Sequence, residues 1–225
     1  MSPQIRHTAP PGADRAADAE RPTVVAADIF GVLVGLDTAS WRAELARIAG
    51  LTETGFMERW LTSGLGEAWD TGALALEDFA ANLRDLVEAP GLTPEAVSAL
   101  WVDAVGTVDP VLGPIAARLS QQRRLILASN HNPVHWPVVH QLLVKAGISP
   151  DAPAVLSHQI GAAKPNRAFY AALTERAAGL DVVFVDDRMT NVEAATACGI
   201  NAFHHTDPAL TAAMLTELLD LTEPM

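Results

Sequence analysis

The stretch VVAADIFGVLVG, residues 24–35, decides how the rest of the chain reads. A run of small and β-branched residues, too short for a helix, ends in the carboxylate of Asp28, and Gly31 follows where a turn must form. This is the pattern of a buried strand that delivers an acid into a loop. Three more apolar runs of the same kind occur at residues 125–128, 154–156 and 182–185. Helical periodicity covers residues 111–122, 134–146, 167–178 and 191–198, the last followed by Gly199 at a helix C-terminus. Strands alternating with helices predict an α/β fold, a Rossmann-like parallel sheet covered on both faces.

Composition bounds the function. The chain has 225 residues, enough for one large α/β core with an inserted subdomain. With 27 acidic against 15 basic residues its net charge is −12. That field repels a nucleic-acid backbone, and no basic patch opposes it. The single cysteine, Cys198, excludes an internal disulfide and fits a reducing compartment. No run approaches the roughly 18 apolar residues that a membrane span requires. A cytoplasmic protein with no membrane partner is the expectation, with residues 1–22, rich in Pro, Ala and charge, as a disordered tail.

One section breaks the alternation. Between Asp37 and about Val105 the pattern is helical at residues 41–49, 53–62, 76–86 and 94–105, without a convincing strand. This predicts a helical cap at 37–105 inserted into a core made of 23–36 and 106–225. The five tryptophans are read as packing residues.

Ligands of open parallel sheets sit beyond the carboxyl ends of the strands. The polar residues that follow the apolar runs should therefore converge: Asp28, Ser129 and Asn130, Asp186 and Asp187, with Lys164 opening the helix after the third run. Their chemistry is coherent. A carboxylate can attack phosphorus only if its charge and that of the phosphate are offset, which calls for a divalent cation and a fixed ammonium. Asp28 and Asp187 offer hard oxygen ligands suited to Mg²⁺, Lys164 the ammonium, and Ser129 a hydrogen bond to a phosphoryl oxygen.

DIFGVL at 28–33, LILASN at 125–130, GAAKPNRAFY at 161–170 and VVFVDDRMTNVEAATACGI at 182–200 resemble, in order, the four motifs of the haloacid dehalogenase superfamily. The resemblance implies a covalent aspartyl intermediate on Asp28, with Ser129 and Asn130 binding the transferred group and Lys164 neutralising charge. It also implies Mg²⁺ held by Asp28, the backbone carbonyl of Phe30 and Asp187, with Asp186 in or beside that shell. The substrate it implies is a small phosphorylated metabolite. The chain departs from the pattern at Phe30, where phosphatases of the superfamily carry a second Asp that protonates the leaving group.

An aromatic residue followed by Gly, as in Phe30-Gly31, also resembles 2-haloacid dehalogenases, whose halide leaves without a proton. Against that reading stand Asp186 and Asp187, which would repel a carboxylate substrate unless a cation lay between them. Some sugar-phosphate phosphatases of the superfamily also lack the second Asp, and GLGEAWDTGALALEDFAANL at 64–83 loosely resembles their cap. A phosphate-binding module that no longer turns over is the third possibility. His131 and His135 follow the second strand and are weighed as substitute acids against a structural role. His204 and His205 lack a third ligand at zinc spacing.

Overall fold

The computed structural model describes residues 23–219; the expected tail at 1–22 lies outside the described residues. The first run forms β1 (Thr23–Ala27), followed by a short β2 (Val34–Leu36). Five helices come next: α1 (Thr38–Ile48), α2 (Glu53–Ser63), α3 (Leu65–Asp70), α4 (Leu76–Leu86) and α5 (Pro94–Asp103). Side-chain caps set several of their starts: Asp37 accepts from the amides of Ala39 and Ser40, and Thr52 and Thr93 accept from Gly55 and Ala96.

The chain returns through β3 (Val105–Val108) and α6 (Leu112–Gln121) to β4 (Leu125–Ser129) and α7 (His135–Lys145). Then come β5 (Ala154–Leu156), α8 (Ser157–Ile160) and α9 (Arg167–Arg176), with Asn166 as N-cap. The last elements are β6 (Asp181–Asp186), α10 (Met189–Ala197), β7 (Asn201–His204) and α11 (Pro208–Leu219).

Five strands make one parallel sheet in the order β5-β4-β1-β6-β7. The two-residue alternation of a strand splits its side chains between two layers. Val25, Ala27, Leu125, Leu127, Val183 and Val185 face α6, α7 and α11, whereas Val24, Ala26, Ile126, Ala128 and Phe184 face α9 and α10. Both faces are dry, which is why these strands read as continuous apolar runs. The expected Rossmann-like α/β class is the one observed. No helix among the described residues is long and apolar enough to cross a membrane.

Two differences from the sequence reading have physical reasons. An antiparallel ribbon of β2 and β3 closes the base of the helical stretch, Val34 paired with Val108 and Leu36 with Val105, so Val105 opens a strand instead of ending a helix. The strand β7, sequence NAFH, lies at the sheet edge and is only partly buried, so it lacks the apolar run that marks an inner strand. The helices α1–α5 enclose a hydrophobic cluster of their own around Leu45, Phe56, Trp69, Phe79, Leu83 and Trp101. Trp41 and Trp60 pack against that cluster and Trp136 against the sheet core, consistent with packing roles.

Candidate active site

Strand β1 has β4 on one side and β6 on the other, the point at which the chain reverses its direction across the sheet and opens a crevice at the strand ends. Asp28 stands there, its amide bonded to Val185 O at 2.8 Å. The turn beyond it is held by Ile29 O, which accepts from the amides of Leu33 and Val34 at 2.8 Å each. Gly31 takes φ +84°, a conformation that disfavours a side chain.

The structure brings the separate motifs together around Lys164. Its buried Nζ lies 2.8 Å from Asp28 Oδ2 and 2.6 Å from Asp186 Oδ2, and it donates to Ala128 O at 3.0 Å. The rings of Phe184 and Phe169 lie 5.4 and 5.7 Å away. Asn130 fixes the backbone beneath it: Lys164 N donates to Asn130 Oδ1 at 2.7 Å, and Asn130 Nδ2 donates to Lys164 O at 2.9 Å.

Asp186 is fully buried, and its other oxygen accepts from the Arg188 amide and from Asn191 Nδ2, both at 2.9 Å. Burial raises its carboxyl, but the Lys164 charge and hydrogen bond, with the two further donors, hold it below the ordinary carboxylate value. Asp28 goes the other way. Burial pushes it up to about 7, the ammonium of Lys164 pulls it down, and the negative charge of Asp186 raises it again. Asp187 is also raised, by burial and then by Asp186.

One oxygen from each of Asp28, Asp186 and Asp187 lies within 4.8 Å of the others. Of the three, Asp187 is exposed and lies over Gly31: a Cβ there would fall 2.5 Å from Asp187 Oδ2. Ser129, almost fully buried, ends β4 beside this cluster, its Oγ 3.3 Å from Asn130 O. A cleft of about 500 Å³ joins Asp28, Ser129, Lys164 and Asp187 to Phe30 and to Arg42 of α1.

Phe30 occupies the place of the absent acid and stacks on His131, ring centroids 4.8 Å apart and planes within 9°. His131 is fully buried, neither ring nitrogen has a partner, and its pKa is pushed well below the usual histidine range by burial and then by the charges of His135, His158 and Lys164. His135 lies edge-on to Phe30 at 5.1 Å and bonds to Asn132 and to Trp101 O. Both histidines sit behind the Phe30 ring as neutral packing groups. His204 donates to Asp187 O at 3.0 Å, and His205 bonds to Thr211 at 2.7 Å.

Four residues near this cleft escape a reading of the sequence. Arg188 and Asn191 lie within the stretch 182–200 and Asp70 within the cap stretch 64–83, but neither stretch marks them out as site residues. Arg42 and Arg188 line the cleft, and Asp70, at the end of α3, lines an adjoining one with Asn130 and Lys164. Burial raises Asp70 to about 6, offset by the Asn132 amide and the charge of Arg188.

A parallel sheet of this strand order, with a helical insert after the first strand and acids at the ends of β1 and β6, is the fold of the haloacid dehalogenase (HAD) superfamily. No protein-family model matches the chain, and no curated protein matches it. Among solved structures it is similar to the HAD family enzyme bt-2542 from Bacteroides thetaiotaomicron, with TM-score 0.71 and 21% identity over 83% of this chain and 95% of that one. It is also similar to a predicted HAD-like family hydrolase from Porphyromonas gingivalis, with TM-score 0.73 and 21% identity over 92% and 100% of the two chains. The L-2-haloacid dehalogenase from Xanthobacter autotrophicus, with chloropropionic acid covalently bound, gives TM-score 0.51 and 21% identity over 91% and 85%.

Proposed function

We propose that the chain is a Mg²⁺-dependent phosphoric monoester hydrolase of the HAD superfamily that acts on a small phosphorylated metabolite, with sugar phosphates in that class. One observation carries this reading: three carboxylates converge within 4.8 Å and a single ammonium, that of Lys164, lies among them. Like charges so close need a further cation, and an all-oxygen donor set suits Mg²⁺. Asp28, Asp187 and the carbonyl of Phe30 would hold the ion, with Asp186 beside them. Once bound, it offsets the charge of the attacking carboxylate and of the phosphate. The bt-2542 enzyme, solved in complex with magnesium and inorganic phosphate at TM-score 0.68, supports the assignment.

Asp28 attacks phosphorus, the P–O ester bond breaks, and the phosphoryl group rests on the aspartate until water hydrolyses the acyl phosphate. Lys164 holds Asp28 in place and neutralises charge at the attacking oxygen. Asp186, with two more donors on its far oxygen, is the positioning residue that fixes Lys164. Ser129 and Asn130 receive the phosphoryl oxygens. The insert at 37–105 serves as a cap over the core of 23–36 and 106–225, because α1 brings Arg42 to the cleft. Phe30 donates no proton, so the leaving group departs largely unaided.

A 2-haloacid dehalogenase is the second reading, favoured by Phe30 in the cleft and by the dehalogenase neighbours, and opposed by the acidic cluster. Purified protein assayed on p-nitrophenyl phosphate and on 2-chloropropionate, each with Mg²⁺ and with chelator, separates the two. Phosphate release that requires Mg²⁺ and is lost in Asp28→Asn is the expected result. Metal-independent halide release would overturn it.

A further inference from the structure

Among the described cations at the cleft, Arg42 combines the lack of an ion pair with a buried nitrogen that has no partner. Lys164 is held between Asp28 and Asp186. Arg188 lies in the field of Asp70 and of Asp187. Arg47, one turn along the same helix, pairs with Glu44, and Arg59 of α2 with Glu88. Arg42 has no ion pair among the described residues, and its Nε is buried without a hydrogen-bond partner. A buried guanidinium nitrogen with no acceptor is unfavourable in the free protein, and it becomes favourable when an anionic ligand supplies the acceptor.

The side chain is also held ready. Its guanidinium lies over the face of Trp41, 5.6 Å from the ring centroid. Trp41 in turn is wedged against Trp101 at 5.2 Å and Trp60 at 5.4 Å. A planar fork backed by a rigid aromatic wall matches the two oxygens of a carboxylate or phosphate, and little side-chain freedom is lost on binding. Arg42 belongs to α1, the first helix of the insert, whereas Asp28, Ser129 and Asp187 come from strand ends of the core. The cleft they share therefore has a reacting side built by the core and a second cationic side built by the insert.

We infer that Arg42 is a specificity-determining residue and that the substrate carries, besides its phosphate ester, a second anionic group such as a carboxylate that Arg42 binds. This rests on the phosphatase reading.

The test uses matched pairs that differ by a carboxylate in place of hydroxymethyl: phosphoglycolate with 2-hydroxyethyl phosphate, 3-phosphoglycerate with glycerol 3-phosphate, and 2-phosphoglycerate with glycerol 2-phosphate. Each is read as kcat/KM, or as competitive inhibition of p-nitrophenyl phosphate turnover where a pair is not hydrolysed. In the wild type at least one carboxylated member should be favoured by about ten- to hundred-fold, the range for a charge-assisted hydrogen bond. Arg42→Gln should collapse that ratio towards one, and Arg42→Lys should restore part of it. A wild type that favours no carboxylated member overturns the inference, with phosphatase activity on p-nitrophenyl phosphate still standing. Equal losses for both members of a pair in Arg42→Gln overturn it too, because Arg42 would then bind the ester phosphate. Absence of any phosphate release, p-nitrophenyl phosphate included, removes both readings.

Discussion

Acid should loosen the seam between the sheet core and the helical insert at His135. Its Nε2 lies 2.8 Å from Trp101 O of α5, which can only accept, and its Nδ1 lies 3.0 Å from Asn132 Nδ2, which can only donate. The amide is oriented by its own oxygen, which accepts from the backbone N–H groups of Val134 and His135 at 3.1 and 2.9 Å. The ring is therefore neutral and protonated at Nε2; a second proton would set two donors against each other. Burial, partly offset by the bond to Trp101, pushes this imidazole from 6.5 down to about 4. Between those two values the unfolded chain holds a proton that the folded chain lacks. Stability is thus full above 6.5 and is lost as pH falls through that interval. At about 1.4 kcal/mol per pH unit the loss by pH 4 is roughly 3 kcal/mol. His131 acts in the same direction, whereas the raised carboxyls of Asp28 and Asp70 act in the opposite one, so the His135 share is isolated by difference. Urea unfolding of the wild type and of His135→Gln, followed by tryptophan fluorescence at about pH 7.5 and about pH 4, measures it. The wild type should lose roughly 3 kcal/mol more than the variant. Equal losses would refute the assignment of a neutral, acid-sensitive His135.

Three further outcomes follow from the same geometry. Lys164→Met leaves Asp28 and Asp186 facing each other without their ammonium, and should abolish turnover and cost about 3–5 kcal/mol in urea unfolding; a loss below about 1 kcal/mol contradicts the buried network. Gly31→Ala would set a Cβ 2.5 Å from Asp187 Oδ2 at φ +84°, and should raise the Mg²⁺ concentration for half-maximal turnover by about tenfold or more; an unchanged Mg²⁺ titration argues against Asp187 as a ligand. Phe30→Asp should flatten the plot of log kcat/KM against leaving-group pKa, with gains of up to about 10²–10⁴-fold on alkyl phosphates; a flat plot for the wild type means another group supplies the proton.

Legibility followed burial. The inner strands β1, β4 and β6 are covered on both faces, and the edge strand β5 is largely buried as well, so each writes itself as an apolar run, and observed bounds fall within about two residues of those expected. Elements covered on one side or paired at an edge, such as β2, β3 and β7, leave no such run, and the four-residue α8 is too short to show a period. The strand ends also carried the candidate site. Asp28, Ser129, Asn130, Asp186 and Asp187 each end or follow a strand, whereas Lys164, expected to open a helix, lies in the turn before α9, whose N-cap is Asn166; a parallel sheet leaves them one edge on which to meet.

The resemblance set Asp187 at the metal and Asp186 in or beside its shell, but the sequence did not say what holds Asp186. Packing decided that. Asp186 turns inward onto Lys164, 22 residues away in the chain, and Asp187 outward over Gly31. The stack of Phe30 on His131, about a hundred residues apart, likewise arises only when β1 and β4 lie side by side. Arg42 lies in no motif and Asp70 carries no site role in the cap stretch 64–83, because their neighbourhood is made by helices of the insert folding back onto strand ends of the core. Local pattern determined which residues reach the carboxyl edge of the sheet. The long-range packing of insert against core decided which charges are paired there, since an ion pair depends on distance in space and on the removal of water, and neither is written in the order of residues.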